Sequence, residues 1–248
     1  MLRSRIIPSL LLSGSGLIKT KAFKRYKYIG DVINAIKIFN EKEVDELCLY
    51  DVDATTEGRA PNFELLKLVA KESNMPLTYG GGVKTIGDAE KLISLGFEKI
   101  SISSAALETP QLISEISRTI GRQSTVVTLD VKKSFLGKYN IYKSRGTEKI
   151  AGDFWQTVQQ LEEQGMGELI INMVELDGTR SGYDIPLAQK LKSKLKVPLT
   201  MLGGAASIES IDELVQKCGP IGAAAGSLFV FKGRLDAVLI NYDRPKQQ

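Results

Sequence analysis

The first half of this chain is written again in the second. Glu46, Pro76 and the pair Gly81-Gly82 return as Glu168, Pro198 and Gly203-Gly204, each 122 residues later. Around them, PLTYGGGVKTIGDAEKLISLG (76–96) is answered by PLTMLGGAASIESIDELVQKCG (198–219). A repeat of half the chain length means two copies of one structural unit packed about a shared axis. A ligand held by one copy implies a chemically similar ligand on the other.

Within the repeat, short apolar runs alternate with amphipathic stretches. The segments 5–12, 47–52, 76–80, 98–103, 124–131, 168–174, 197–202 and 220–226 read as strands, and 62–73, 87–95, 110–119, 153–164, 184–195 and 207–217 carry helical spacing. Strands of nearly continuous apolar character indicate a parallel sheet covered on its outside. Eight units in two sets of four predict a (β/α)8 TIM barrel with a two-fold half-barrel repeat, split near 1–122 and 123–248. No Pro/Gly/Ser-rich linker parts the halves, so residues 1–248 are expected to form one domain. An open doubly wound sheet is the rival, but Gly14-Ser15-Gly16 after strand one lacks the third glycine and the helix of its fingerprint. In the register of the repeat, IIPSLLL lies over VVTLDVK. The connections 12–30 and 131–152 each follow the first strand of a half and are expected to be mobile loops over the active face.

Composition narrows the chemistry. A net charge of +4 suits anionic metabolites and lacks the clustered basicity of a nucleic-acid binder. No apolar run reaches membrane-span length, and the N-terminus has no signal-peptide cleavage pattern, which predicts a cytoplasmic protein without membrane partners. Cys48 and Cys218 lack ligand spacing and are expected to be reduced core residues. Neither a metal site nor an organic cofactor is suggested. With no histidine in the chain, acid–base work must fall to carboxylates, lysine, tyrosine or cysteine.

Glycines 80–82 end the third strand and Ser103-Ser104 the fourth; Gly203-Gly204 and Gly226-Ser227 follow the seventh and eighth. Bare backbone N–H groups and a helix N-terminus bind phosphate at such places in barrels. Each set could be a tight turn alone. Their recurrence at matching positions favours phosphate, and two sites across one mouth imply an elongated substrate with a phosphate at each end.

RIIPSL (5–10), DELCLYDVDAT (45–55), PLTYGGGV (76–83), KISISSAAL (99–107), VVTLDVK (126–132), GELIINMVELDGTRSGYD (167–184) and LGGAASIESI (202–211) resemble, almost end to end, the cyclase subunit of imidazole glycerol phosphate synthase. The related phosphoribosyl isomerase fits DGTRSGYD less well. The resemblance implies a barrel that receives ammonia from a separate glutaminase, in a heterodimer, and uses it to cleave and cyclise a bis-phosphorylated ribotide. It implies phosphate contacts at Gly82, Ser103, Ser104, Gly178, Thr179, Gly204 and Ser227, with Gly203 and Gly226 beside them. At 103–104 the family usually has Asn-Thr. Lys19 matches a loop lysine near the substrate. Of the family's two catalytic aspartates, Asp130 matches the second, whereas the first falls on Leu11. Leucine neither gives nor takes a proton, and losing one of two acid–base groups costs ~10²–10⁴ in rate. Asp51 and Asp177, at strand ends, are the carboxylates that could compensate.

At the opposite strand ends lie Arg5, Glu46, Lys99 and Glu168, two positive and two negative. The resemblance implies an ammonia gate at the barrel floor, which Glu98 could flank toward a partner; a generic salt-bridge layer is the alternative. An intact floor beneath a broken catalytic pair resembles paralogues of surface-polysaccharide (lipopolysaccharide) synthesis, in which barrel and glutaminase supply nitrogen to a sugar amidotransferase. The competing expectations are an ordinary histidine-biosynthesis cyclase that tolerates Leu11 and a non-catalytic scaffold that activates a glutaminase.

Overall fold

The computed structural model describes residues 3–233 and 235–242. Eight parallel strands, β1 (Arg5–Ser13), β2 (Leu47–Asp51), β3 (Leu77–Gly80), β4 (Lys99–Ile102), β5 (Thr125–Lys133), β6 (Glu168–Met173), β7 (Leu199–Leu202) and β8 (Gly222–Ala225), pair in order. Pairing of β8 with β1 closes the sheet, giving the expected (β/α)8 TIM barrel. Outside run α1 (Val32–Glu41), α2 (Phe63–Glu72), α3 (Ile86–Leu95), α4 (Gln111–Ile120), α5 (Phe154–Glu163), α6 (Ile185–Lys192) and α7 (Ile208–Cys218). A short helix, Ser227–Val230, follows β8.

Local chemistry starts these helices. Asp31, Asn62, Asp153 and Asp184 each accept a first-turn backbone N–H, and Thr85 with Asp88 forms a reciprocal capping box. The apolar faces then pack on the barrel wall: Leu10, Leu12, Phe39, Leu49, Leu66 and Tyr79 are fully or almost fully buried there. Each such side chain contributes about 1.5–3 kcal/mol.

Alternation along the strands sends the other set of side chains inward. Ile7, Cys48, Val126, Ile170, Leu202 and Ala224 form a second, separate apolar cluster, with Tyr50 packed on it. This cluster is the barrel interior. It also corrects the register of the repeat. Ser9 pairs with Cys48 while Thr128 pairs with Ile170, so β1 is related to β5 by 119 residues, one fewer than IIPSLLL over VVTLDVK requires. In this register Leu11 is the equivalent of Asp130, and both line the interior.

Three other expectations change. Segments 12–30 and 131–152 are antiparallel hairpins: Gly16–Lys21 pairs with β1 and with Lys24–Asp31, and Tyr139–Lys143 pairs with β5 and with Glu148–Lys149. Alternating β-branched and aromatic residues (GLIKTK, YNIYK) favour strands there. Helix α1 is not among the expected helices, because that long connection obscures where it begins. Cys218 is only partly buried at the end of α7, whereas Cys48 is buried in the barrel interior.

The duplication extends to backbone strain. Gly81 (φ +125°) and Gly203 (φ +96°) leave β3 and β7 in the left-handed half of φ space, and a Cβ would meet Asp51 O at 2.4 Å or Met173 O at 2.7 Å. Two copies of one close approach need two glycines. Gly81→Ala and Gly203→Ala should each lower stability by about 1–3 kcal/mol. Urea unfolding midpoints measure this, and a neutral effect of either would contradict the duplicated geometry.

Candidate active site and the barrel interior

At the N-terminal end of the strands, Arg5, Glu46, Lys99 and Glu168 meet in one closed ring. Arg5 donates to Glu46 Oε2 at 2.6 Å and to Glu168 Oε1 at 2.6 Å; Lys99 Nζ reaches Glu46 Oε1 at 2.9 Å and Glu168 Oε2 at 3.0 Å. Thr78 donates to Glu46 at 3.1 Å and Thr200 to Glu168 at 2.6 Å. The two threonines are repeat equivalents, as are the two glutamates. Both carboxylates are about 5% exposed, so their charge is tolerable only because every oxygen is paired. Burial opposes the Glu168 carboxylate, but the charges of Arg5 and Lys99 hold its pKa below the usual value. For Lys99, burial works against the ammonium, and Glu168 and Glu46 raise it above the usual value.

Above the ring the interior is neutral. Burial, with Glu46 nearby, pushes the Cys48 thiol up to about 12, and burial raises the Tyr50 phenol well above its usual value. Tyr50 needs the missing side chain of Gly80, whose Cβ would lie 2.8 Å from its ring. Next comes a polar layer: Ser101 and Thr128 hydroxyls share a hydrogen bond of 2.6 Å, and Tyr50 OH lies 3.5 Å from Thr128.

A cavity of about 730 Å³ opens at the C-terminal end, lined by Leu11, Tyr50, Asp51, Gly80–Gly82, Ser101, Ser103, Ser104, Thr128, Asp130 and Asn172, among others. Asn172 Nδ2 donates to Asp130 Oδ1 at 2.9 Å. Burial pushes the Asp130 carboxyl up to about 7; the Asn172 hydrogen bond pulls against this, Asp177's charge adds to it and Lys132's opposes it. A carboxyl titrating near neutrality can both give and take a proton. Leu11, on the opposite strand, can do neither.

Asp51 and Asp177 are committed elsewhere. Asp51 accepts a forked pair from Arg59 at 2.7 and 2.9 Å, and the N–H groups of Asp53 and Ala54. Asp177 binds Lys19 Nζ at 2.5 Å and Thr20 Oγ1 at 2.8 Å. Both fasten loops at the mouth.

Gly82, Ser103 and Ser104 face the large cavity, whereas Gly178, Gly203, Gly204, Gly226 and Ser227 surround a separate void of about 10 Å³, large enough for a water molecule. The Gly16–Asp31 hairpin narrows it: Thr20 O lies close under Gly178, and the Lys19 stem beside Gly226. Thr179 lines neither cavity; its hydroxyl bonds Leu176 O and Ser181. The hairpin tips meet over the mouth, where Arg145 stacks on and bonds Tyr26 and reaches Asp53 at 3.2 Å. Tyr50, Thr128, Asn172 and Arg145 escaped sequence reasoning. Counting inward by twos from Glu46 and Glu168 would have found Tyr50 and Asn172.

A duplicated (β/α)8 barrel with matching glycine turns at one rim and an ion ring at its floor defines a class of half-barrel repeat proteins. Residues 5–236 match the family described as "Histidine biosynthesis protein". The chain is 49% identical, over its whole length and 96% of the relative, to "Putative imidazole glycerol phosphate synthase subunit hisF3" of Vibrio vulnificus. It is 47% identical, over 98% of this chain and 96% of the relative, to the similarly worded hisF2 of Pseudomonas aeruginosa. To imidazole glycerol phosphate synthase subunit HisF of Exiguobacterium sibiricum it is 37% identical over 92% of this chain and 91% of that one. The chain belongs to this histidine-biosynthesis family, among its imidazole glycerol phosphate synthase cyclase subunits. No helix among the described residues is long and apolar enough to cross a membrane.

The depressed Glu168 pKa fixes a pH dependence. Its contribution to stability is complete above the ordinary Glu value of about 4.3 and is lost as pH falls below it. Between pH ~5 and ~3 the wild-type Tm should therefore fall more steeply than that of Glu168→Gln. Parallel curves would show that the carboxylate is not held by the ring.

Proposed function

We propose that this chain is the barrel subunit of a glutamine amidotransferase of the imidazole glycerol phosphate synthase type. A glutaminase partner docks at the floor and delivers ammonia through the ring formed by Arg5, Glu46, Lys99 and Glu168. Ammonia then crosses the neutral interior to the cavity holding Asp130, where it is used or passed on. The observation that carries this reading is the single column from the ring through the apolar cluster to the cavity. Asp130 serves as the acid–base group, and Lys19 and Asp177 hold the hairpin over the second cradle. The bis-phosphorylated substrate places one phosphate at Gly82, Ser103 and Ser104. The other enters the Gly178, Gly203, Gly204, Gly226 and Ser227 cradle when that hairpin lifts, with Thr179 holding the loop.

Leu11 favours an altered cyclase, with nitrogen passed to a separate sugar amidotransferase of surface-polysaccharide synthesis. The position of Asp130's pKa favours the second reading, a working histidine-pathway cyclase carried by one carboxyl. Purified chain supplied with ammonium and the phosphoribulosyl ribotide separates them. A kcat within the common ~1–10³ s⁻¹ range supports the cyclase, and rates lower by ~10² or more support the altered branch. In either case the residual rate should rise through an inflection near pH 7, where Asp130 changes charge, and Asp130→Asn should abolish the inflection. An unchanged profile would remove Asp130 from the chemistry, and intact partner-stimulated glutamine hydrolysis with downstream amidation in that variant would favour a scaffold.

The gate has a separate test. Glu46→Gln should leave ammonium-driven turnover within about twofold while lowering glutamine-driven turnover at least tenfold, a loss of about 1.4 kcal/mol or more in coupling. Equal losses in both assays would make the ring a structural layer only.

A further inference from the structure

Along β6, Glu168, Ile170 and Asn172 point inward at successive steps of the strand. They therefore stand one above another, in the ring, the apolar cluster and the cavity wall. At about 3.3 Å of rise per residue, Asn172 lies roughly 13 Å above Glu168. Asn172 is 8% exposed, and its side chain is only half satisfied: Nδ2 donates to Asp130, while the buried Oδ1 has no hydrogen-bond partner. An ionised Asp130 can only accept, which holds Nδ2 toward it and leaves Oδ1 as the open acceptor. A buried carbonyl oxygen left without a donor is destabilising, and such an atom beside a cavity marks a place for a ligand donor.

We infer that Asn172 Oδ1, with the neighbouring Asp130 carboxylate, is the receiving point for ammonia as it leaves the neutral interior. The two oxygens offer acceptors to a small nitrogen species with several N–H bonds. Leu11 on the facing strand offers no competing polar contact. Below, the Ser101 and Thr128 hydroxyls each have a partner in the other, whereas Asn172 Oδ1 is, among the described residues, the buried acceptor on this column with no hydrogen-bond partner at all. Asn172 is thus a positioning residue: it holds the nitrogen near the acid–base carboxyl and itself transfers no proton.

The inference rests on the proposed ammonia delivery, but its test needs neither glutaminase nor substrate. Ammonium chloride is titrated into the full chain near pH 8, with potassium chloride as a cation control, while NMR follows the Asn172 side-chain amide and the Thr128 methyl. The expected result is a saturable shift of both signals with ammonium and none with potassium. Asn172→Leu should weaken the Thr128 response about tenfold in apparent Kd, as expected for one lost hydrogen bond. Asn172→Thr, which keeps an acceptor oxygen on the strand, should weaken it less and guards against a folding defect in the leucine variant. Equal responses to both salts, or an unchanged Kd in folded Asn172→Leu, would overturn the assignment. An intact ammonium shift without glutamine-driven turnover supports the assignment and counts against delivery by a partner. Glutamine-driven turnover with no ammonium shift overturns the assignment alone.

Discussion

Two buried carboxylates, Glu46 and Glu168, hold the account together. Each would be ruinous to bury alone; between Arg5 and Lys99, with a threonine hydroxyl on each, they become a neutral plug. Strands one, two, four and six can bring these four side chains to one point only if the sheet closes. The ring thus depends on the barrel, and once formed it sets what stands above it. Every second residue of each strand must face the same interior, which fixes Cys48, Tyr50, Ile170 and Asn172 in column above their glutamates.

The repeat shows which parts both halves keep and which have diverged. Glu46 and Glu168, Thr78 and Thr200, Gly81 and Gly203, Gly82 and Gly204, and Ser104 and Ser227 are shared between the halves. The cations of the ring are not: Lys99 pairs beside Thr78 where Gly222 pairs beside Thr200. Higher up, Leu11 answers Asp130, Tyr50 answers Asn172 and Gly80 answers Leu202. The cradles and floor carboxylates keep two-fold symmetry, and the interior has lost it. One side offers leucine and tyrosine, the other a neighbouring carboxyl and amide.

Much of this was legible in the sequence because it rests on short-range pattern. Period-two and period-3.6 spacing gave the strands and helices, and the repeat gave closure and the ring members. The register between β1 and β5 slipped by one residue because both segments are runs of similar apolar residues, and only pairing with β2 and β6 decides which of Leu10 and Leu11 faces inward. The hairpins at 16–31 and 139–149 looked like loops because their Lys, Arg and Gly content conceals the strand alternation. The commitment of Asp51 to Arg59, of Asp177 to Lys19, and the open oxygen of Asn172 depend on side-chain geometry across strands distant in sequence. No spacing rule encodes that.

The proposed route carries nitrogen through the barrel and not through solvent. Its most direct test is isotope partition in the complex with the glutaminase: amide-¹⁵N glutamine is supplied in the presence of excess unlabelled ammonium, and the aminated product is analysed by mass spectrometry. With delivery through the barrel, the product nitrogen should come almost wholly from glutamine. Dilution of the label to the bulk ammonium ratio would contradict it.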